Sequence, residues 1–589
     1  MNSPLPRPSL MRSLFAGVID DEILFPYPRV DPAERAVVDD FLARLRPFCE
    51  SNLDPASIDE HEHIPPGALE GLKEMGLFGI SIPREYGGMG LSQSAYCRIF
   101  EWITSFDVGL GILLGVHLSI GVKGIQLAGT EAQKRFYLPR AASGEWLASF
   151  ALTESEAGSD AAGIRSRAVP DGEGGWVLNG SKIWIGNASF SEILVVFAQT
   201  PVERDGDQVD RVSAFVLRPD MPGLERGDEL RKMGARGSNQ AELHFHDVRI
   251  PAANLLGDVG GGFKLAMRVL NSGRQGLSAG AAGGVKRCLR LATEWATERE
   301  QFGQPIARYD LIAGKLAALA ADALTADSVA YFTTGLADRG DVDYALESAA
   351  GKVWNSEALD RSVDELVQIA GGRGYVKPFP YERLYRDARI TRIFEGTNEI
   401  LRLFVGLSGI EEPAERLRAL GAALRAPIRQ FGLLRDFSGE QVRLALHRGE
   451  PEVEGDVDPR LRIHFDYLVD HTRDLRVATD RAIRRHRAGI VDQQFTVARL
   501  ADMAIELYVR AAVLSRVQSA LAADSTHLPG GAADVAALLR LCDLACQRSG
   551  LRFRSARVAL NGERDDLVRS VRDDLVAAEK HPSDPIGGG

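Results

Sequence analysis

The sequence predicts a mainly helical protein built around a central β domain, and three features of its patterning predict this class. Apolar residues recur at helical spacing from about Asp31 to Gly144. Short β-branched or alternating runs take over between Trp146 and about Arg249, and long Ala- and Leu-rich helical patterns return from Gly262. The β segment thus interrupts two helical blocks that must pack together.

Taken in order, residues 1–30 form an N-terminal extension with Pro4, Pro6 and Pro8, no apolar secretory core and acidic residues by Asp20. Residues 31–145 form an α domain, in which Phe41, Leu42, Leu45 and Phe48, then Leu69, Leu72, Met75 and Leu77, recur at helix spacing. Its most apolar run, Val108 to Val122, carries His117 and Ser119 between Asp107 and Lys123, which fits a buried helix better than a membrane span. Residues 146–252 are expected to form an antiparallel β-barrel from runs such as Trp176–Gly180, Glu192–Ala198, Val212–Leu217 and Ala241–Phe245. Residues 253–412 are expected to form a four-helix bundle. Residues 413–589 are an extra helical domain, interrupted by polar Arg448–Pro459 and ending in a disordered tail, Pro582–Gly589.

Bulk properties exclude several classes. A net charge of -11, from 70 basic and 81 acidic residues, gives no excess of cations to neutralise nucleic-acid phosphates. The 5 cysteines are scattered and odd in number, so they suggest no disulfide framework, and Cys542 and Cys546 read as core packing. His61, Glu62 and His63 lack a third ligand at useful spacing, so no metal site is expected. With no targeting peptide, a bacterial cytoplasmic location is expected, and the extension serves either dimer packing or contact with the inner-membrane surface.

The strongest chemical signal is the run Arg392-Ile393-Phe394-Glu395-Gly396-Thr397-Asn398-Glu399-Ile400-Leu401-Arg402. Glu395 follows an apolar lead-in, Gly396 permits close approach of another molecule, and Thr397 or Asn398 can cap the helix beyond. A carboxylate held among apolar side chains gains proton affinity and becomes a better base at neutral pH. Alone, this segment is explained equally well as an ordinary helix start with a surface glutamate. A second signal is Phe150 to Asp160, a strand end opening into a loop of small and hydroxyl residues that can wrap a polar ring system and a pyrophosphate. In the third, Lys182 to Ala188, Trp184 is either a stacking wall for a planar cofactor or part of the β core.

Six motifs in register make the chain resemble the acyl-CoA dehydrogenases, FAD enzymes that oxidise acyl-CoA thioesters to trans-2-enoyl-CoA. They are Thr153-Glu154 to Gly158-Ser159-Asp160, Lys182 to Asn187, Asn271-Ser272-Gly273-Arg274, Arg299 to Gly303, Gln368 to Gly372 and the Glu395 segment. The likeness is strong over about residues 20 to 412. Phe25-Pro26-Tyr27-Pro28, the Arg389 to Gly406 run and the helical extension look most like the very-long-chain branch, whose members are dimers.

The resemblance implies roles for individual residues. Glu395 would remove the pro-R α-proton, while the β-hydrogen leaves as hydride to flavin N5. Gly396 would lie against the thioester, with Asn271 and Arg274 in the substrate pocket. Phe150, Leu152, Thr153, Trp184, Ile185 and Gly186 would line the flavin, and Ser159 would reach both the FAD pyrophosphate and the CoA side. Thr397 and Glu399 would hold the cofactor beyond the base. Arg299, Gln301, Phe302, Gln368 and Gly372 would contact the adenine half, partly across the subunit interface. Implied partners are a long acyl-CoA, an electron-transfer flavoprotein and a second copy of the chain. An acyl-CoA oxidase and a weakly active FAD-binding scaffold are the alternatives.

The chain departs from the family pattern at two positions. Gly186 stands where Thr or Ser usually offers a hydroxyl to flavin N5, and Ser155 stands where Pro is common. Some branches place the base on the earlier helix, at the position of Gly273, which cannot serve.

Overall fold

The computed structural model of the chain describes residues 9–204, 206–425, 453, 457–522, 532–562 and 564–577. The expected disorder of Pro582–Gly589, the prolines at 4, 6 and 8, and most of the Arg448–Pro459 stretch lie outside the described residues.

The first helical block begins with α1 (Pro32–Asn52). Asp31 accepts the N–H groups of Ala33 and Glu34, and Pro32 occupies the first helical position, where no N–H is needed. Its buried residues, Val38, Phe41, Leu45 and Cys49, fall three or four apart on one face. Helix α2 (Gln93–Phe106) is capped by the Ser92 side chain. The apolar run from Val108 is a largely buried helix, but an irregular one: α-helical over Val108–Gly115, π-helical over Val116–Gly121 and α-helical again over Val122–Ala128. Within the π turn, the buried His117 directs Nε2 at the carbonyls of Phe78 and Ala141 (3.2 and 3.1 Å) and accepts the Ala148 N–H on Nδ1 at 3.1 Å. The two carbonyls require a proton on Nε2, and burial pushes the ring's pKa down to about 4, so a neutral imidazole staples the helical block to the first strand.

The middle domain is one seven-stranded sheet: β1 (Ala148–Ala151), β2 (Arg167–Pro170), β3 (Trp176–Gly186), β4 (Ile193–Arg204), β5 (Asp207–Leu217), β6 (Leu224–Arg226) and β7 (Gln240–Ile250), in the order β1-β4-β2-β3-β7-β6 with β5 also on β4. The expected antiparallel barrel is corrected on two counts. β1 runs parallel to β4, with Ala148 opposite Ile193, and β2 also meets β4 in parallel. The outer strands do not pair with each other, so the sheet stays open. Burial explains this. Along β4, Ile193, Val195 and Phe197 enter the large helical core, whereas Leu194, Val196 and Ala198 enter a smaller core with Leu178, Ile185, Phe215, Leu243 and Phe245. With helices over one face and its own strands curled over the other, β4 is hidden without closure, and it reads as a continuous apolar run.

Helices α3 (Gly262–Glu298), α4 (Asp310–Arg339), α5 (Ala345–Ala370) and α6 (Asn398–Arg425) pack together, with α3 against α2, α4 and α5, and α6 against α5. The extension contributes α7 (Arg462–His486), α8 (Gln494–Ala522) and α9 (Ala532–Gly562), which share the same apolar core. Arg402 of α6 ties the two parts together: its guanidinium grips Glu357 of α5 at 2.7 and 3.0 Å and Asp502 of α8 at 2.7 Å. The extension therefore braces the helix that begins at the Glu395 segment. All five cysteines are free and buried, Cys542 and Cys546 among them.

Candidate active site

Glu395 lies in the turn between a short 3₁₀ segment, Arg389–Arg392, and α6. Both Glu395 (φ 59°) and Gly396 (φ 91°) are in the left-handed region, which costs a non-glycine residue roughly 1–2 kcal/mol. Neighbours on two helices hold the turn in place. The Lys352 ammonium of α5 donates to the Gly396 carbonyl at 2.7 Å and to Asn398 Oδ1 at 2.8 Å. Arg274 of α3 donates from Nε to the Glu395 carbonyl at 3.1 Å and from Nη1 to Asn271 Oδ1 at 3.0 Å. Thr397 supplies the cap, its hydroxyl accepting the Ile400 N–H at 3.4 Å. The buried Asn398 side chain instead donates to Ser356 and Glu357, both at 3.1 Å.

The carboxylate has its own pocket. Glu395 is half-buried as a residue, yet its Oε2 is sealed from solvent and accepts no hydrogen bond from the described residues. The space comes from Gly273 of α3, where a Cβ would lie 2.7 and 2.8 Å from the two carboxylate oxygens. Burial pushes the Glu395 pKa up to about 7 against the opposing pull of Arg274 and Lys352. Lys352 is fully buried, and burial pushes its ammonium down to about 7, with Glu395 the strongest influence keeping it charged.

On the sheet, Trp184 stands outside both cores. It sits in an irregularity of the β3–β7 pairing between Lys182 and Ile185, at φ 58°, and is 55% exposed, with no ring partner among the described residues. Phe150, Leu152 and Ile185 are buried in the two cores, Thr153 is half-buried and Ser159 exposed. Gly186 has a physical reason to lack a side chain: a Cβ there would come 2.8 Å from Val116 Cγ2 in the π turn. The loop after β1 is rooted by a buried ion pair. Lys182 donates to Glu154 Oε1 at 2.6 Å and to the Leu152 carbonyl at 3.1 Å, while the Glu154 carboxylate also accepts the N–H groups of Arg165 and Ser166. Glu154 and Ala157 exchange backbone hydrogen bonds at 3.1 Å, so a turn closes around Ser155 without proline.

The remaining residues of the expected cofactor set lie elsewhere. Arg299, Gln301 and Phe302 sit on an exposed hairpin after α3, and Gln368 and Gly372 are exposed at the far end of α5. Sixteen residues of helix separate Gln368 from Lys352, about 24 Å. Glu399 is exposed beside Thr397. Sequence reasoning missed Lys352, Val116 and the Glu154–Lys182 pairing. Of these, only Lys352 left a signal, a lone cation in the apolar helical run Ala349-Ala350-Gly351-Lys352-Val353-Trp354.

Comparison with known proteins identifies the assembly. Sequence profiles of the acyl-CoA dehydrogenase N-terminal, middle and C-terminal domains match residues 38–145, 149–248 and 260–408, and that of the ACAD9/ACADV C-terminal domain matches 459–580. The chain belongs to the acyl-CoA dehydrogenase family. It is 40% identical to a very long-chain specific acyl-CoA dehydrogenase of Bos taurus mitochondria, over 95% of this chain and 85% of the relative. It is 34% identical to a probable acyl-CoA dehydrogenase of Mycobacterium tuberculosis, over 97% and 88%. An acyl-CoA dehydrogenase from Bacillus anthracis, solved with FAD, superposes with a TM-score of 0.76 at 30% identity, covering 97% of this chain and 95% of that one. This acyl-CoA dehydrogenase is FAD-dependent, and its residues fit the cofactor: an exposed indole on the sheet with no ring partner among the described residues, and a hydroxyl-bearing loop rooted by Glu154 and Lys182.

Proposed function

We propose that Glu395 is the base of this acyl-CoA dehydrogenase, that its substrates are long or very long acyl-CoA thioesters, and that it works as a homodimer delivering electrons to an electron-transfer flavoprotein. The observation that carries the assignment of the base is the sealed, unpartnered Oε2 of Glu395, held at a strained turn by two cations. Oxidation removes a proton from Cα and a hydride from Cβ, leaving a trans double bond. Glu395 takes the proton onto its carboxylate. A pKa near 7, against an ordinary 4.5, makes it a stronger base by about 3 kcal/mol while leaving it substantially ionised at neutral pH. FAD, when bound, supplies N5 as the acceptor of the β-hydride. Gly396, with no side chain, leaves room for the thioester against the turn. Arg274 and Lys352 hold the turn, so little reorganisation accompanies proton transfer.

Long substrates are supported by the likeness to a very long-chain relative over nearly the whole chain and by the matching extension. The dimer is supported by geometry. Gln368, expected at the adenine half, lies about 24 Å along α5 from Lys352, which holds the turn of the base, and Phe302 is 96% exposed at the tip of its hairpin. A second copy bringing that hairpin beside Trp184 would complete the cofactor site.

Glu395→Gln tests the base. The variant is expected to bind FAD normally and to lose at least about 10²–10⁴-fold in anaerobic flavin reduction by a long acyl-CoA. Substantial residual reduction would contradict the assignment.

A further inference from the structure

Lys352 is an unusual residue for its place. Its side chain is fully buried, it follows Ala349, Ala350 and Gly351 in an apolar run of α5, and it forms no ion pair among the described residues. A buried ammonium without a carboxylate partner is costly and is retained where it serves a nearby charge. Its two hydrogen bonds both end on the segment following Glu395, at the Gly396 carbonyl and at Asn398 Oδ1. Ser356 and Glu357, one turn further along α5, complete the clamp by accepting from the Asn398 amide.

From this geometry we infer that Lys352 is a positioning residue for the base: it fixes the turn that aims the Glu395 carboxylate, and its positive charge favours the ionised form that accepts the substrate proton. The inference rests on Glu395 being the base. The other charged groups around the pair leave Lys352 a distinct part. Arg274, from α3, holds the Glu395 carbonyl and is spent in part on Asn271. Glu357 is matched by the Arg402 guanidinium, and Glu399 is exposed. Tyr96, from α2, is kept neutral by burial and is hydrogen-bonded to Ser119. Neutralising Lys352 therefore leaves Arg274 as the one uncompensated cation acting on the carboxylate among these groups. An opposite charge within a few ångströms moves a carboxyl pKa by about one to three units.

The test is the pH profile of anaerobic flavin reduction by a long acyl-CoA in Lys352→Met and Lys352→Gln holoenzyme. Gln keeps a donor for Gly396 and Asn398 without the charge, so a folded variant is available even where Met disrupts the clamp. The acid limb of both variants is expected to move to higher pH by about one unit, giving about a tenfold loss below neutrality. Gln should recover most of the rate at alkaline pH, and Met should keep a residual loss from the slackened turn. A readout without turnover is the equilibrium deprotonation of a 3-thia-acyl-CoA, acidic at Cα but with no β-hydrogen to give; its midpoint should move the same way. Loss of rate at every pH with an unmoved midpoint would overturn the inference and leave Lys352 a structural clamp. Glu395→Gln run in parallel separates the failures. If that variant is inactive while the Lys352→Gln midpoint stays put, only the role of Lys352 falls; if it still reduces flavin, the base falls and this inference with it.

Discussion

Gly273→Ala probes the pocket of the base most directly. The added methyl would sit 2.7 Å from one carboxylate oxygen of Glu395, 2.8 Å from the other and 2.9 Å from Cδ, whereas ordinary contact begins near 3.4 Å. Something must therefore retreat by about 0.7 Å (3.4 less 2.7). The Glu395 backbone resists, because Arg274 holds its carbonyl and Lys352 holds the next one. The displacement falls on the Glu395 side chain, at roughly 0.5–1.5 kcal/mol of rotamer strain. Catalytic groups tolerate about 0.5 Å of misplacement, and about 1 Å costs about 10²-fold, so flavin reduction should slow by roughly 10- to 100-fold. Stability should change little, since Ala in place of Gly inside a helix contributes up to about 1 kcal/mol in the other direction. Anaerobic stopped-flow bleaching by a long acyl-CoA reads the rate; the flavin-to-protein ratio and a thermal melt report integrity. A variant with full flavin, normal melting and the parental rate would refute the claim that Gly273 exists to house the carboxylate.

Gly186→Thr should lower the flavin content of the purified protein, because its Cβ would meet Val116 at 2.8 Å; adding Val116→Ala should restore it, and a flavin-replete single variant would disprove the steric account. Glu154→Gln removes the carboxylate from the fully buried Lys182 and should cost about 3–5 kcal/mol in urea unfolding, with less than about 1 kcal/mol counting against a structural pair. Folding raises the Glu395 carboxyl from 4.5 to about 7, so across that window the folded chain keeps a proton that the unfolded chain releases. This group's contribution to stability is present below pH 4.5 and is lost as pH rises to about 7. Glu395→Gln should therefore unfold at higher denaturant than the parent at pH 8, by up to about 3 kcal/mol, with the gap closing towards pH 4.5; an equal gap at both ends would contradict the burial of the charge.

Much of this protein was legible locally. The four- and three-residue spacing of Phe41, Leu45 and Phe48, the onset of helical patterning near Asp31 and a cap at Thr397 or Asn398 are contained within a few residues, where backbone preference and side-chain period decide the outcome. The Glu395 segment was visible for the same reason. Whether the sheet closes is not legible locally, because closure depends on what covers each face. The run Ile193–Ala198 reads the same whether its two sides meet barrel partners or, as here, helices on one side and curled strands on the other.

By itself, the chain's order of residues determined the helix–strand–helix division, the cap and glycine around Glu395, and the motifs that mark an acyl-CoA dehydrogenase. Only the tertiary structure decided that Glu395 adopts a left-handed backbone, that Gly273 opens space for its carboxylate and that Lys352 reaches the Gly396 carbonyl. Proton affinity belongs to the second group. A carboxyl's pKa is set by how completely water is excluded and which charges remain nearby, and here three segments separated by dozens of residues exclude the water and supply the cations.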